Sequence, residues 1–134
     1  MERQVVDVLV VDDTEGVREG IADVLRHLGL EVHTAANGRE AMLLLYQAHY
    51  AVMLLDYEMP EMDGMAVASA LRERAQRPIV LMMSGGVDMA EAPIDGTVVQ
   101  AFLEKPFDIR EVAEIIQLCV PKFRGRVRDP ATTT

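Results

Sequence analysis

Residues 5–13 read VVDVLVVDD, an apolar run that ends in two adjacent aspartates. The run is rich in valine and almost continuously apolar, which is typical of a parallel strand covered on both of its faces. From Glu15 onward the apolar residues recur at helical spacing until Gly29, a residue type that commonly ends helices. This stretch therefore predicts a strand, an acidic carboxyl end and a helix, in that order.

The same unit of strand and helix recurs along the chain. Further strands are predicted at residues 30–35, 51–55, 79–83 and 100–104, and further helices at 38–49, at 64–74 and after Asp108. Between the fourth and fifth strands, Pro93 and Gly96 interrupt the pattern, so a short or irregular fourth helix is expected there. These repeats predict an α/β fold with a doubly wound, five-stranded parallel sheet in the flavodoxin-like order 2-1-3-4-5.

Length and composition indicate a single domain. The chain has 134 residues, of which 50% are apolar, and this is enough for one core of ordinary size. We expect the folded domain to span residues 1–120. Residues 121–134 have no apolar period and are predicted to form a flexible tail or a truncated linker.

The charge and the apolar runs narrow the classes of function. The formal net charge of -9 disfavours direct binding to nucleic acid. The apolar runs are far shorter than the roughly 20 residues that span a bilayer, and no signal-peptide pattern follows Met1. We therefore expect a cytoplasmic protein without membrane insertion.

The last predicted helix carries the only cysteine of the sequence. We expect Val112, Ile115, Ile116 and Cys119 to face inward at helical spacing, with Cys119 as a small core residue. The three histidines lack the spacing of metal ligands and are predicted at the surface, away from the acidic strand ends.

Polar residues stand at the carboxyl ends of the predicted strands. Asp12 and Asp13 follow the first strand, Asp56 the third, Ser84 the fourth and Lys105 the fifth. In a doubly wound sheet these ends meet where the strand order reverses, so the carboxylates repel one another unless a cation lies between them. Oxygen ligands completed by water suit Mg²⁺. A carboxylate flanked by Mg²⁺, an ammonium and a hydroxyl is a plausible phosphoryl acceptor, and Asp56 is the candidate.

Five segments in fixed order resemble those of the response-regulator receiver domain. The likeness covers about residues 5–120, and the segments are VVDD at 10–13, LLD at 54–56, MPEMDG at 59–64, MSG at 83–85 and FLEKPF at 102–107. The resemblance implies that Asp56 is the phosphoacceptor. It also implies a Mg²⁺ site made by Asp56, by Asp13 directly, by Asp12 largely through water, and by the backbone carbonyl of Glu58.

The resemblance also assigns a switch. It implies that Ser84 hydrogen-bonds the phosphoryl group, that Lys105 pairs with it, and that the Phe102 ring turns inward when Ser84 moves. The bond between Lys105 and Pro106 is similar to one that is cis in this family. Glu58 stands where the family tunes the lifetime of the phosphoryl group, although a solvated loop glutamate is an equally good interpretation.

The function that the resemblance implies is a signalling switch controlled by phosphorylation. The donor would be a sensor histidine kinase or a histidine phosphotransfer protein. The output would be a protein partner that reads the face of the fourth helix, fifth strand and fifth helix, and a phosphorylation-dependent dimer is an open option. Such a domain is not an enzyme beyond its own phosphorylation and dephosphorylation.

Other functions are compatible with parts of the sequence. One is a pseudo-receiver that docks proteins without being phosphorylated. A flavin-binding protein would need a phosphate-binding loop after the first strand, where this chain has acidic residues. An aspartyl phosphatase would have an alternating acidic pair at that position and a cap domain, and the sequence shows neither.

Overall fold

The computed structural model describes residues 4–60, 62–85 and 96–120. The strands are β1 (Gln4–Val11), β2 (Val32–Ala35), β3 (Ala48–Asp56), β4 (Ile79–Ser84) and β5 (Val99–Glu104). The helices are α1 (Glu15–His27), α2 (Gly38–Gln47), α3 (Gly64–Leu71) and α4 (Ile109–Cys119). All the strand pairs are parallel, and the order is β2-β1-β3-β4-β5. The predicted fold class is therefore confirmed.

Helices cover both faces of the sheet, which explains why β1, β3 and β4 are largely apolar and buried. One core cluster contains Leu45 of α2 and Leu71 of α3, and the other contains Leu25 of α1 and Ile116 of α4. Central β1 is buried from Val6 to Val11 because it packs on both layers.

Short polar side chains begin three of the helices. Asn37 accepts a hydrogen bond from the backbone N–H of Glu40, and Asp63 and Asp108 accept equivalent bonds at the starts of α3 and α4. The end of α1 is followed by Gly29 in the left-handed region with φ 88°, a conformation that glycine adopts without strain. The predicted helix starts are confirmed.

Three sequence-based expectations about the elements were wrong in detail. The second helix ends at Gln47 rather than His49, because Ala48 and His49 pair with β1 and begin β3. The third helix ends at Leu71, and Arg74 instead donates a hydrogen bond from its side chain to the Leu45 carbonyl at 2.9 Å. Ile115 was expected inside, yet its side chain is 47% exposed.

Two predictions fall on residues that the structure does not describe. The short fourth helix was expected in a segment of which residues 86–95 lie outside the described ranges, and the tail at 121–134 lies outside them as well. Within the described ranges, the helix that follows β5 is α4, the one predicted as the fifth. None of the described helices is both long and apolar enough to cross a membrane.

Candidate functional site

The acidic residues predicted to meet do lie together at the carboxyl edge of the sheet. Val11 of β1 pairs with Leu55 of β3, so the two strands deliver their following aspartates at the same level. One carboxylate oxygen each from Asp12, Asp13 and Asp56 lies within 4.8 Å of the others. Asp12 and Asp56 are buried and Asp13 is exposed, so the group opens to solvent on the side of Asp13.

Asp12 is held in place by the start of α1. Its Oδ1 accepts a hydrogen bond from the Thr14 backbone N–H at 2.9 Å, and its carbonyl accepts one from the Arg18 side chain at 3.0 Å. Its own N–H donates to the Ala35 carbonyl of β2 at 3.2 Å. These contacts fix the carboxylate at the strand end. The roles of Thr14 and Arg18 could not be predicted from the sequence, because both contacts depend on how the chain turns from β1 into α1.

Asp56 is fixed by the loop that follows β3. Its Oδ1 accepts a hydrogen bond from the Glu58 N–H at 3.2 Å, and the Tyr57 N–H donates to the Met83 carbonyl of β4 at 2.8 Å. The first residue of α3, Gly64, packs against the same turn. A Cβ on Gly64 would lie 2.6 Å from the Asp56 carbonyl oxygen, so only glycine fits without a shift.

Lys105 brings a positive charge from the end of β5. Its Nζ lies 2.8 Å from Oδ2 of Asp12 and 3.5 Å from Oδ1 of Asp56. The Lys105 backbone N–H donates to the Ser84 carbonyl at 2.8 Å, which continues the pairing of β4 with β5 to the edge. The bond to Pro106 is cis, as predicted. One ammonium group therefore contacts two of the three clustered carboxylates.

The electrostatics of the cluster act most strongly on Asp56. Burial raises the pKa of its carboxyl group to about 6, and the nearby charge of Asp12 acts in the same direction, whereas Lys105 and the Glu58 N–H lower it. For Lys105, burial acts to lower the pKa, but the hydrogen bond to Asp12 and the charges of Asp56 and Asp12 outweigh it, and the pKa is raised. The ammonium thus stays charged while Asp56 is costly to ionise.

The two predicted switch residues differ in burial. Ser84 is 1% exposed, and its hydroxyl donates a hydrogen bond to Oε1 of Glu58 at 3.0 Å. Phe102 lies on β5 opposite Met82, and its side chain is 42% exposed. The contact of the Glu58 carboxylate was missed from sequence, because it depends on the path of the loop after β3.

The donor set suits a hard divalent cation. Three carboxylates face one ammonium group within the cluster, so negative charge remains to be balanced. Every ligand atom offered is a carboxylate oxygen, which is the chemistry that Mg²⁺ prefers, and the exposed side leaves room for the water that Mg²⁺ retains. The residues present fit such an ion.

The histidines contribute no ligand to this group. His33 lies on β2, and its Nδ1 is 2.8 Å from the Tyr50 hydroxyl in an edge-on ring contact. His27 is exposed at the end of α1, and His49 pairs with Val5 at the start of β3. His33 and His49 are only partly exposed, so the predicted surface position is clear for His27 alone.

Comparisons with known proteins agree with this geometry. A family model described as the response regulator receiver domain matches residues 8–117. The transcriptional regulatory protein SrrA of Staphylococcus aureus is 37% identical over 106 residues, which are 79% of this chain and 44% of the relative. The chain therefore spans less than half the length of that curated relative.

Solved receiver structures have the same fold. A CheY-like receiver domain from Methanospirillum hungatei is 27% identical with a TM-score of 0.77, covering 89% of this chain and 97% of the other. The response regulator TrrA from Thermotoga maritima, solved in complex with Mg²⁺ and BeF, is 27% identical with a TM-score of 0.74. That match covers 90% of this chain and 100% of the other.

Proposed function

Since this chain belongs to the response regulator receiver family of two-component signalling, we propose that it is a switch operated by phosphorylation of Asp56. The observation that carries the proposal is the cluster of Asp12, Asp13 and Asp56 oxygens within 4.8 Å, with Lys105 Nζ beside two of the three. Phosphoryl transfer depends mainly on positioning and on charge stabilisation, and this group of residues supplies both.

Asp56 is the nucleophile in this proposal. A carboxylate oxygen attacks the phosphorus of a phosphohistidine, or of a small acyl phosphate. The bond from phosphorus to the donor nitrogen or oxygen breaks, and its electron pair leaves with the donor group. The N–H of Glu58 and the ammonium of Lys105 hold the carboxylate in place for the attack. The chain transfers phosphate only to and from itself, so it is not an enzyme acting on other molecules.

Mg²⁺ is the cofactor that these residues would hold. Asp12, Asp13 and Asp56 supply carboxylates, and the backbone carbonyl of Glu58 is the further ligand we expect. When bound, the ion neutralises charge on the transferred phosphoryl oxygens. The complex of TrrA with Mg²⁺ and BeF supports this assignment, because BeF mimics a phosphoryl group.

Phosphorylation would then act through Ser84 and Phe102. The phosphoryl group adds nearly two negative charges and three acceptor oxygens. It therefore draws the Ser84 hydroxyl and the Lys105 ammonium toward Asp56. The exposed Phe102 ring on β5 would turn inward into the space that Ser84 vacates. The turn of the Phe102 ring would change the surface formed by β5 and α4. We expect an output protein or a second copy of the chain to bind to this surface.

The partners follow from the same mechanism. The donor is a sensor histidine kinase or a histidine phosphotransfer protein. The relative SrrA is a transcriptional regulatory protein, but the match covers less than half of it. Transcriptional regulation would therefore require residues beyond the matched part. We propose that this domain does not itself bind DNA, because its net charge is -9.

Intact-mass spectrometry after incubation with acetyl phosphate tests the proposal. We expect one added phosphoryl group on the native chain with Mg²⁺, and none with a chelator or in Asp56→Asn. Asp23→Asn makes the same change in charge on the outer side of α1 and should be phosphorylated like the native chain. An unchanged mass in the native chain would favour a pseudo-receiver that only docks proteins.

A further inference from the structure

The buried hydroxyl of Ser84 already has a partner in the absence of a phosphoryl group. It donates to Oε1 of Glu58 at 3.0 Å. Met83 pairs with Asp56, so Ser84 follows directly beside the acceptor. The contact therefore joins the loop after β3 to the end of β4 across the edge where Asp56 lies.

A serine hydroxyl has a single proton to donate. While the Ser84 hydroxyl donates its hydrogen bond to Glu58, it cannot donate one to a phosphoryl oxygen on Asp56. The proposed activated state needs the same proton for the phosphoryl group. The bond between Ser84 and Glu58 and the bond between Ser84 and the phosphoryl group therefore exclude each other.

We infer that Glu58 is a positioning residue that holds Ser84 in the resting state and so opposes activation, an inference that rests on the function proposed above. Its carboxylate supplies a charged acceptor, which makes stronger hydrogen bonds than a neutral acceptor does. A dianionic phosphoryl group must compete with this carboxylate for the hydrogen bond that Ser84 donates, and must also approach its negative charge. Both effects favour the resting arrangement.

The backbone of the same residue acts in the opposite sense. The Glu58 N–H donates to Oδ1 of Asp56 at 3.2 Å and helps to orient the acceptor. A change of the Glu58 side chain leaves this N–H in place. The holding contact can therefore be removed without removing the group that orients Asp56.

The test compares the affinity of variants for beryllofluoride at saturating Mg²⁺. Beryllofluoride mimics the phosphoryl group without being hydrolysed, and amide NMR shifts of the labelled full chain report its binding. We expect Glu58→Ala to bind it roughly tenfold more tightly than the native chain, about the value of one hydrogen bond to a charged acceptor. Glu58→Gln should gain less, because its amide oxygen can still accept from Ser84 as a neutral and weaker acceptor. Glu73→Gln, which removes an exposed charge after α3, should bind like the native chain.

A Ser84→Ala background separates the hydrogen bond from the charge. If Glu58 acts through Ser84, Glu58→Ala tightens binding by about threefold at most once Ser84 is gone. In the metal-free native background, Glu58→Ala should also move the Phe102 amide shift toward its beryllofluoride-bound position. A purely structural role for Glu58 would not produce that shift.

The outcomes distinguish the inference from the function on which it rests. Binding by the native chain with no gain in the Glu58 variants overturns the inference alone. An equal gain with and without Ser84 overturns it as well, because the effect would then be one of charge only. If beryllofluoride binds to neither the native chain nor any variant, the proposed function fails, and the inference fails with it.

Discussion

Asp56 is a buried carboxyl group whose closest charged neighbours are mostly carboxylates. Its pKa of about 6 lies above its ordinary value of 3.8, chiefly because of burial. Between these two values the folded state binds more protons than the unfolded state, so the contribution of Asp56 to stability falls as the pH rises through that window. Without a cation, the site therefore costs stability at neutral pH.

Replacing Asp56 by asparagine should stabilise the metal-free protein. The amide can still accept from the Glu58 N–H but carries no charge, and the gain at neutral pH should be about 1 to 3 kcal/mol. Urea unfolding in a chelator measures this. The difference between the two proteins should narrow as the pH falls through about 6 and vanish below about 3, where Asp56 is protonated in both the folded and the unfolded native chain. A variant that is less stable than the native chain at neutral pH would contradict this interpretation.

Lys105 has a structural role in the metal-free protein as well as its proposed role with phosphate. Its Nζ is 2.8 Å from Asp12, whose side chain is fully buried, whereas the lysine side chain is 23% exposed. Lys105→Met keeps the apolar stem but leaves a buried carboxylate without its ammonium, and should cost about 1 to 3 kcal/mol in a chelator. Arg39→Met, at an exposed position on α2, is the control.

Magnesium should offset much of the loss caused by Lys105→Met, because the ion replaces the missing positive charge. Thermal unfolding with and without Mg²⁺ reports this, and the rise in Tm should be larger for the variant than for the native chain. An equal rise in both proteins would show that Lys105 and the ion do not share the same carboxylates.

Single residues of the site differ in how far the sequence could predict them. Asp12, Asp13, Asp56 and Lys105 each end a strand, so the fold alone decides that they meet. The hydrogen bond from Ser84 to Glu58 has no such signal, because it depends on the turn after β3 rather than on a repeating pattern.

Among the elements, the turn between β3 and α3 packs closely against the glycine that begins α3. Gly64→Ala would place a Cβ 2.6 Å from the Asp56 carbonyl oxygen and 2.9 Å from the Tyr57 Cα. Backbone atoms cannot move aside as a flexible side chain can, so we expect a loss of about 2 to 4 kcal/mol in the free energy of unfolding. Denaturant unfolding measures the loss.

Gly20 provides the matched control for that substitution. It lies within α1, and nothing lies within 4 Å of the position of its Cβ. Gly20→Ala should therefore stabilise the protein by about 0.5 to 1 kcal/mol, through helix propensity alone. Equal effects at the two glycines would show that the turn after β3 is not tightly packed.

The ends of elements were harder to predict than their existence. Ala48 continues the apolar spacing of α2, yet the structure places it in β3, where it pairs with Gln4. Local spacing favoured the helix, and pairing with the neighbouring strand outweighed it. Ile115 shares the helical period of α4 but is 47% exposed, because periodicity alone does not fix how far the buried face extends.

At the scale of the whole molecule, the sheet order is what creates the site. Placing β1 between β2 and β3 brings the aspartates of β1 and β3 to one edge, and β4 and β5 add Ser84 and Lys105. The sequence was sufficient to predict this because β1, β3 and β4 are largely apolar, buried runs and the first three crossovers are helices, so few topologies were possible.

The folded chain should bind Mg²⁺ and be stabilised by it, because the ion binds only when the strand ends are assembled. At an ion concentration of about 100 times the Kd, the gain is about 2.7 kcal/mol. Calorimetry should show a rise in Tm that Asp13→Asn greatly reduces and Asp23→Asn leaves unchanged. A rise that is the same in all three proteins would place the ion elsewhere.

Locating the phosphoryl group tests the central claim most directly. Borohydride reduces an aspartyl phosphate to homoserine, so treatment after incubation with acetyl phosphate and Mg²⁺ marks the acceptor, and peptide mass spectrometry then finds it. We expect homoserine at Asp56 alone. Homoserine at Asp12 or Asp13, or none at any aspartate, would contradict the account.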